Sequence, residues 1–197
     1  MIFLLGIGPV AQGLEVKEVV FKGQTPPGFE DEWIEVAIRL EMARGFADRV
    51  DDRAQTVTVN LGAAWAVGRG RPASYRFFQA QATLVALPAD DPVTVFFYLP
   101  PEIVARDGLR AEPFAWRIVL SLDGQALPTQ PRGVAERLRD PTVAQSFAAR
   151  LAAEAPRNAG ILQPIYLTPF FVADAGKTRD LPSFVRPELS ARPGGRP

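Results

Sequence analysis

The side chains best suited to chemistry in this chain are carboxylates gathered in short runs: Glu30-Asp31-Glu32, Asp51-Asp52 and Asp90-Asp91. Loop carboxylates presented in alternation chelate hard cations such as Ca²⁺, and two carboxylates a few ångströms apart cleave glycosidic bonds. None of the runs has the Asp-x-Asp-x-Asp-Gly order of an EF-hand loop. Each lies between patterned segments, where solvated turns are the simpler reading, and no metal or glycosidase site is assigned. Glu102, Arg106 and Asp107 follow the prolines of VFFYLPPEIVARDG, Val95 to Gly108, and read as the charged ends of a short helix. Arg69 and Arg71 sit in GRGRP, which lacks both the Lys-Ser/Thr of a P-loop and the spacing of a dinucleotide fingerprint.

Two absences narrow the chemistry further. The chain contains no His and no Cys, which removes Ser-His-Asp and Cys-His catalysis, the usual zinc sites, haem ligation through His and every disulfide. Its 22 basic and 22 acidic residues cancel, so no global field draws it to nucleic acid or to an anionic membrane. No catalytic, cofactor-binding or metal-binding residue is assigned, and no cofactor or nucleic-acid partner is expected. The remaining candidates are aromatic. Trp33, Tyr98, Tyr166, Phe170 and Phe171 fall on outward positions of strand patterns or in irregular segments, where rings stack on sugars or anchor a protein partner. The competing reading is that the C-terminal segment covers Trp33 and the rings bury one another.

The elements that must position these residues are strands. WIEVAIRLEM alternates with a period of two, setting Ile34, Val36, Ile38, Leu40 and Met42 opposite Glu35, Arg39 and Glu41. LEVKEVVFK alternates with a slip at Glu18 that predicts a β-bulge. TVTVNLGAAWAV and FAWRIVLSLDG alternate cleanly and turn Trp65 and Trp116 inward. SYRFFQAQATLVAL changes parity between Phe77 and Phe78, which predicts a bulge or bend, and PVTVFFYL is apolar on both parities, as a strand covered on both sides would be. Six strands with turns and no helix between them predict an antiparallel, immunoglobulin-like β-sandwich over residues 14–127.

The prolines after VFFYL explain themselves in that frame. Pro100 cannot donate to a ladder and Pro101 suits a first helical turn, so a short corner helix carries the chain to the other sheet and Gly108 permits the reversal. DPTVAQSFAARLAAEAP predicts one C-terminal helix, with Asp140 as N-cap, Pro141 at N1 and an apolar stripe of Val143, Phe147 and Leu151. ILQPIYLTPFFV, broken by Pro164 and Pro169, is expected to lie extended along a sheet edge or over Trp33. Residues 128–180 thus form a helix and docking segment, and 181–197, rich in Pro and Gly, an unstructured tail. At the other end, MIFLLGIGPVAQG is apolar from Ile2 to Val10 and closes on small residues at Ala11-Gln12-Gly13. Residues 1–13 read as the remnant of a secretory signal, although a basic leader is missing, and the alternative is a short buried strand.

WIEVAIRLEM, VFFYLPPEIVARDGL and AWRIVLSLDG together resemble an immunoglobulin-like envelope family of Verrucomicrobia associated with type IV pilus gene clusters, over residues 14–125 and most specifically at the FYLPPE corner. The resemblance implies an exported, non-enzymatic sandwich of the periplasm or cell envelope, peripheral to the membrane at most. It would work in pilus or envelope assembly with a protein partner, a second copy of itself included. These motifs are structural and carry over no catalytic residue. The alternative function for such a module is carbohydrate binding.

Overall fold

In the computed structural model, which describes residues 13–42, 56–68, 74–85, 87, 91–174 and 181–185, β1 (Leu14–Gln24) and β2 (Trp33–Met42) form an antiparallel pair. Their register shifts between Val16 and Glu18. The extra residue, Lys17, turns Leu14 and Val16 to the same side as Val19 and Phe21 although their parities differ, which is the bulge that the slip at Glu18 predicts. β5 (Val93–Leu99) pairs with the other side of β2, and β8 (Gln163–Pro164) adds two residues to β5. The second sheet is ordered β7 (Gln125–Ala126), β6 (Ala115–Leu122), β3 (Thr56–Ala66), β4 (Tyr75–Val85) and β9 (Ser183–Val185). The first, second and fifth strands thus share one sheet, and the sixth, third and fourth the other. This is the strand connectivity of an immunoglobulin sandwich, in agreement with the fold class read from the alternation.

Ile34, Val36, Ile38 and Leu40 of β2 meet Val57, Val59, Leu61, Ala63 and Trp65 of β3 in the core between the sheets. Trp65 is almost wholly buried, edge-on to Phe78 at 5.7 Å. Trp116 also faces inward, but at the rim, where it is half-buried against Phe21 at 5.6 Å.

The parity change in β4 has a different cause from the predicted bulge. Its register with β3 runs unbroken from Thr56↔Val85 to Ala66↔Tyr75. Both parities are apolar because both faces are covered: Phe78, Ala82 and Leu84 face the core, while Phe77 faces out beneath Phe147 and Leu151 of α2 (Pro141–Glu154). Gly62 of β3 lies under the same helix, and Leu151 occupies the space that a Cβ there would need. α2 begins as its sequence predicts. Asp140 accepts from the backbone N–H of Thr142 at 2.8 Å and of Val143 at 3.4 Å. Its apolar stripe is narrower than expected, because Val143 is 39% exposed.

α1 (Pro101–Asp107) turns the corner from β5 to β6, with Ile103 and Val104 packed on the end of the core and Gly108 in the left-handed region at φ 59°. Asp107, read as one of the exposed end charges, is instead buried. It accepts two bonds from Arg106 at 2.9 and 2.7 Å, faces Arg76 of β4 at 3.4 Å, and its own carbonyl accepts from Gly68 at 2.8 Å. The Arg106 guanidinium holds its carboxyl below the usual carboxylate range.

Candidate functional site

Two of the aromatic candidates, Trp33 of β2 and Tyr98 of β5, stand among the outward side chains of the four-stranded sheet. Cross-strand register sets those side chains in rows: Glu18, Arg39 and Thr94; then Val20, Ala37 and Phe96; then Lys22, Glu35 and Tyr98. Glu35 is only 1% exposed although it points away from the core. Its carboxylate accepts from the Tyr98 hydroxyl at 2.7 Å and faces the Lys22 ammonium at 3.1 Å, so the burial is compensated by a hydroxyl and a cation.

The five aromatic candidates are enclosed rather than displayed. Tyr98 is 0% exposed and stacks on Phe170 at 4.2 Å and 12°. Trp33, half-buried, stands edge-on to both, at 6.5 Å from Tyr98 and 5.9 Å from Phe170. Phe171 packs at the margin of this cluster, and Tyr166 turns toward Phe184 at 5.2 Å. Trp33, Tyr98, Phe170 and Phe171 are thus brought together and Tyr166 lies beside them, so that the rings bury one another. An edge-on or stacked ring pair contributes about 0.5–1.5 kcal/mol beyond the area it buries.

The cover itself departs from the extended form expected of ILQPIYLTPFFV. Only Gln163 and Pro164 are extended, opposite Tyr98 and Phe97. Pro164 lacks a donor, so the ladder ends at the sheet edge, as its position requires. Ile165–Leu167 then form one 3₁₀ turn and Pro169–Asp174 a short helix, α3, whose Phe170 is driven down onto Tyr98. Ser183–Val185, expected within an unstructured tail, instead pair with Thr83–Val85 as β9. The C-terminal segment therefore docks in cis and extends both sheets on one flank.

On the opposite flank the closing group is one the sequence analysis missed. Gln130 reaches the edge of β1, where its amide oxygen accepts from Val16 N–H at 2.6 Å and its amide nitrogen donates to the Leu14 carbonyl at 2.5 Å. Its side chain thus stands in for a residue of a neighbouring strand. Arg132 donates to the Lys17 carbonyl at 3.2 Å, and Val134 bridges to Arg117 of β6. A single polar side chain in a loop carries no periodicity, so no pattern in the sequence distinguishes it.

Beyond the aromatic cover the outer face stays open as a groove of about 470 Å³, with Glu18 and Arg39 at one end, Val20, Ala37 and Phe96 along its floor and Leu181 as one wall. The Glu30-Asp31-Glu32 run and Asp91 are exposed in turns. Among the described residues no group of three or more acidic side chains is placed to hold a metal ion, and no helix is long and apolar enough to cross a membrane. Residues 1–12, Asp51-Asp52, Asp90, Arg69, Arg71 and 186–197 lie outside the described residues.

No family model and no curated protein matches the chain. Among solved structures, it is similar to a crystal structure of a protein from Akkermansia muciniphila, with a TM-score of 0.61 at 16% sequence identity. The likeness covers 88% of this chain and 93% of that one. At that identity it establishes a shared fold. The 88% exceeds what residues 14–127 of a 197-residue chain can supply, so the shared fold extends into the C-terminal additions.

Proposed function

We propose that this protein is a non-enzymatic interaction module of the cell envelope, working in pilus or envelope assembly. The observation that carries this reading is the fold held in common with the Akkermansia muciniphila protein, since that organism belongs to the phylum of the envelope family that the FYLPPE corner resembles. Site chemistry supports it from another side. Buried Glu35 and Asp107 are spent on structural ion pairs, the Glu30-Asp31-Glu32 run lies in a solvated turn, and the open groove ends in charges with an apolar floor, a surface suited to a protein partner. Deleting the gene in its host is expected to reduce surface piliation, and the tagged protein is expected outside the cytoplasm. Normal piliation together with cytoplasmic recovery would overturn the proposal.

Carbohydrate binding is the second reading, and the stacking of Tyr98 on Phe170 bears on it. Sugar platforms need an aromatic face open to solvent, and these two rings occupy one another's faces. A glycan array separates the readings, because the interaction module gives no saturable sugar binding.

A further inference from the structure

The outer edge of β1 is handled differently along its two halves. From Leu14 to Lys17 it is occupied, by the Gln130 amide and the Arg132 guanidinium. From Glu18 to Gln24 β1 pairs with β2 on one side, and no described residue pairs with it on the other. An open edge is a template for another strand unless a bulge, a proline or an inward charge blunts it. Here the bulge and the Gln130 clamp both lie before Glu18. Glu18 and Lys22 project from the outer face, clear of an incoming strand, while Val19 and Phe21 turn inward and pack on the core.

The open half reads Glu18-Val19-Val20-Phe21-Lys22, which is self-complementary about Val20. Antiparallel pairing with a second copy, Val20 opposite Val20, sets each Glu18 against a Lys22 and each Val19 against a Phe21. Opposite charges directly across a strand pair are favourable and like charges are not. The smallest register shift that keeps inner side chains inner is two residues, and in either direction it takes each charge off its counter-ion. Glu18 is also available for such a contact. It makes no ion pair among the described residues even though Arg39 is its cross-strand neighbour.

We propose that a second copy of this chain adds to the open edge of β1, strand against strand about a two-fold axis at Val20, joining the two four-stranded sheets into one continuous sheet. Backbone hydrogen bonds supply the attraction and the two Glu18–Lys22 pairs fix the register. This names the partner of the interaction module and rests on that reading for its biological role. Its test reads self-association alone, so its failure would leave the envelope assignment to the piliation experiment.

The chain has no native cysteine, so a Val20→Cys variant of the full chain forms a disulfide only between copies. Directly opposed residues of an antiparallel pair have Cα atoms about 4.5–5.5 Å apart, within disulfide range, whereas sheets packed face to face stand about 10 Å apart and are too distant. Val20→Cys is expected to oxidise to a dimer about tenfold or more faster than Val143→Cys, an exposed position on α2. Equal rates would overturn the proposal. In sedimentation equilibrium the wild-type chain is expected to show a concentration-dependent dimer that Glu18→Lys and Lys22→Glu each weaken, the second also removing the cation that faces buried Glu35. An equimolar mixture of these two variants is expected to restore it, because they meet with opposite charges at both pairs. A mixture that associates no better than its components, with both variants folded by circular dichroism, would overturn the proposal as well.

Discussion

The two flanks of this sandwich meet the same problem with different physics. On one flank, the edges of β5 and β4 are joined by two short strands and sealed by Leu162, Ile165 and Phe170, an apolar cover drawn from the C-terminal segment. On the other, the edge of β1 is held by the amide of Gln130, an arginine and a single 3₁₀ turn, Pro131–Gly133. An apolar cover gains stability in proportion to the area it removes from water, whereas a hydrogen-bond clamp gains little on balance and mainly prevents the cost of unpaired groups. The first flank is therefore shut. The second is clamped from Leu14 to Lys17 and left open from Glu18 to Gln24, the stretch proposed to take a partner strand.

The largest test of this contrast removes the cover. Fully burying Leu162, Ile165 and Phe170 contributes about 1.5–3 kcal/mol each, roughly 5–9 kcal/mol together, against a typical net stability of about 5–15 kcal/mol. Truncation after Ala159 is therefore expected to unfold the protein or expose the Trp33–Tyr98 surface, raising binding of a hydrophobic dye and aggregation. A truncated chain that stays soluble with an unchanged melting temperature would mean that the cover is not what shuts this flank. Phe170→Ala is a narrower version. It leaves a cavity over Tyr98 and is expected to cost about 3–5 kcal/mol in denaturant unfolding.

The contrast also marks what was legible in the sequence. Period-two patterning reports which face of a strand is inward, and it placed the faces of β2 and β3 and the bulge in β1, while the backbone limits of Pro100, Pro101 and Gly108 placed the corner at α1. Periodicity cannot say which distant segment covers an outward face. Phe77 and Tyr98 both sit on outward parities, and each is buried by an element more than 60 residues further on, α2 for Phe77 and α3 for Tyr98. The same limit explains why the parity change in β4, produced by helix cover, reads as a bulge, and why the sequence leaves open whether the aromatic cluster is displayed or enclosed. Gln130 was invisible for a related reason. What it does follows from the unsatisfied backbone of β1 and not from any regularity around Gln130 itself.

On the clamped flank the expected effect is smaller and of another kind. Gln130→Ala leaves the Val16 N–H and the Leu14 carbonyl without their buried partner, a loss of about 1–3 kcal/mol in denaturant unfolding. Dye binding is expected to stay at the wild-type level, because no apolar cover is lost. Gln130→Glu should recover only part of the loss, since a carboxylate accepts from Val16 but cannot donate to Leu14. An alanine variant as stable as wild type would show that the clamp contributes nothing and that the whole β1 edge is open.

The smallest effect concerns the corner between the flanks, where a titrating group replaces the neutral amide. Asp107 is held below its usual range chiefly by the hydrogen bonds from Arg106. A carboxyl with a depressed folded-state pKa contributes stability that is fully present above its unfolded value of about 3.9 and is lost as pH falls through the folded value. Arg76 brings β4 into the same contact, so the term also ties α1 to the second sheet. Asp107→Asn keeps the shape and removes the charge. It is expected to be less stable than wild type at neutral pH, with the difference narrowing as the wild-type carboxyl protonates and closing in strong acid. Denaturant midpoints for both proteins across a pH series measure that convergence. The cost of Gln130→Ala, measured on the same series, should hold constant, because an amide does not titrate. Parallel wild-type and Asp107→Asn curves at every pH would mean that the arginines support Asp107 by packing alone.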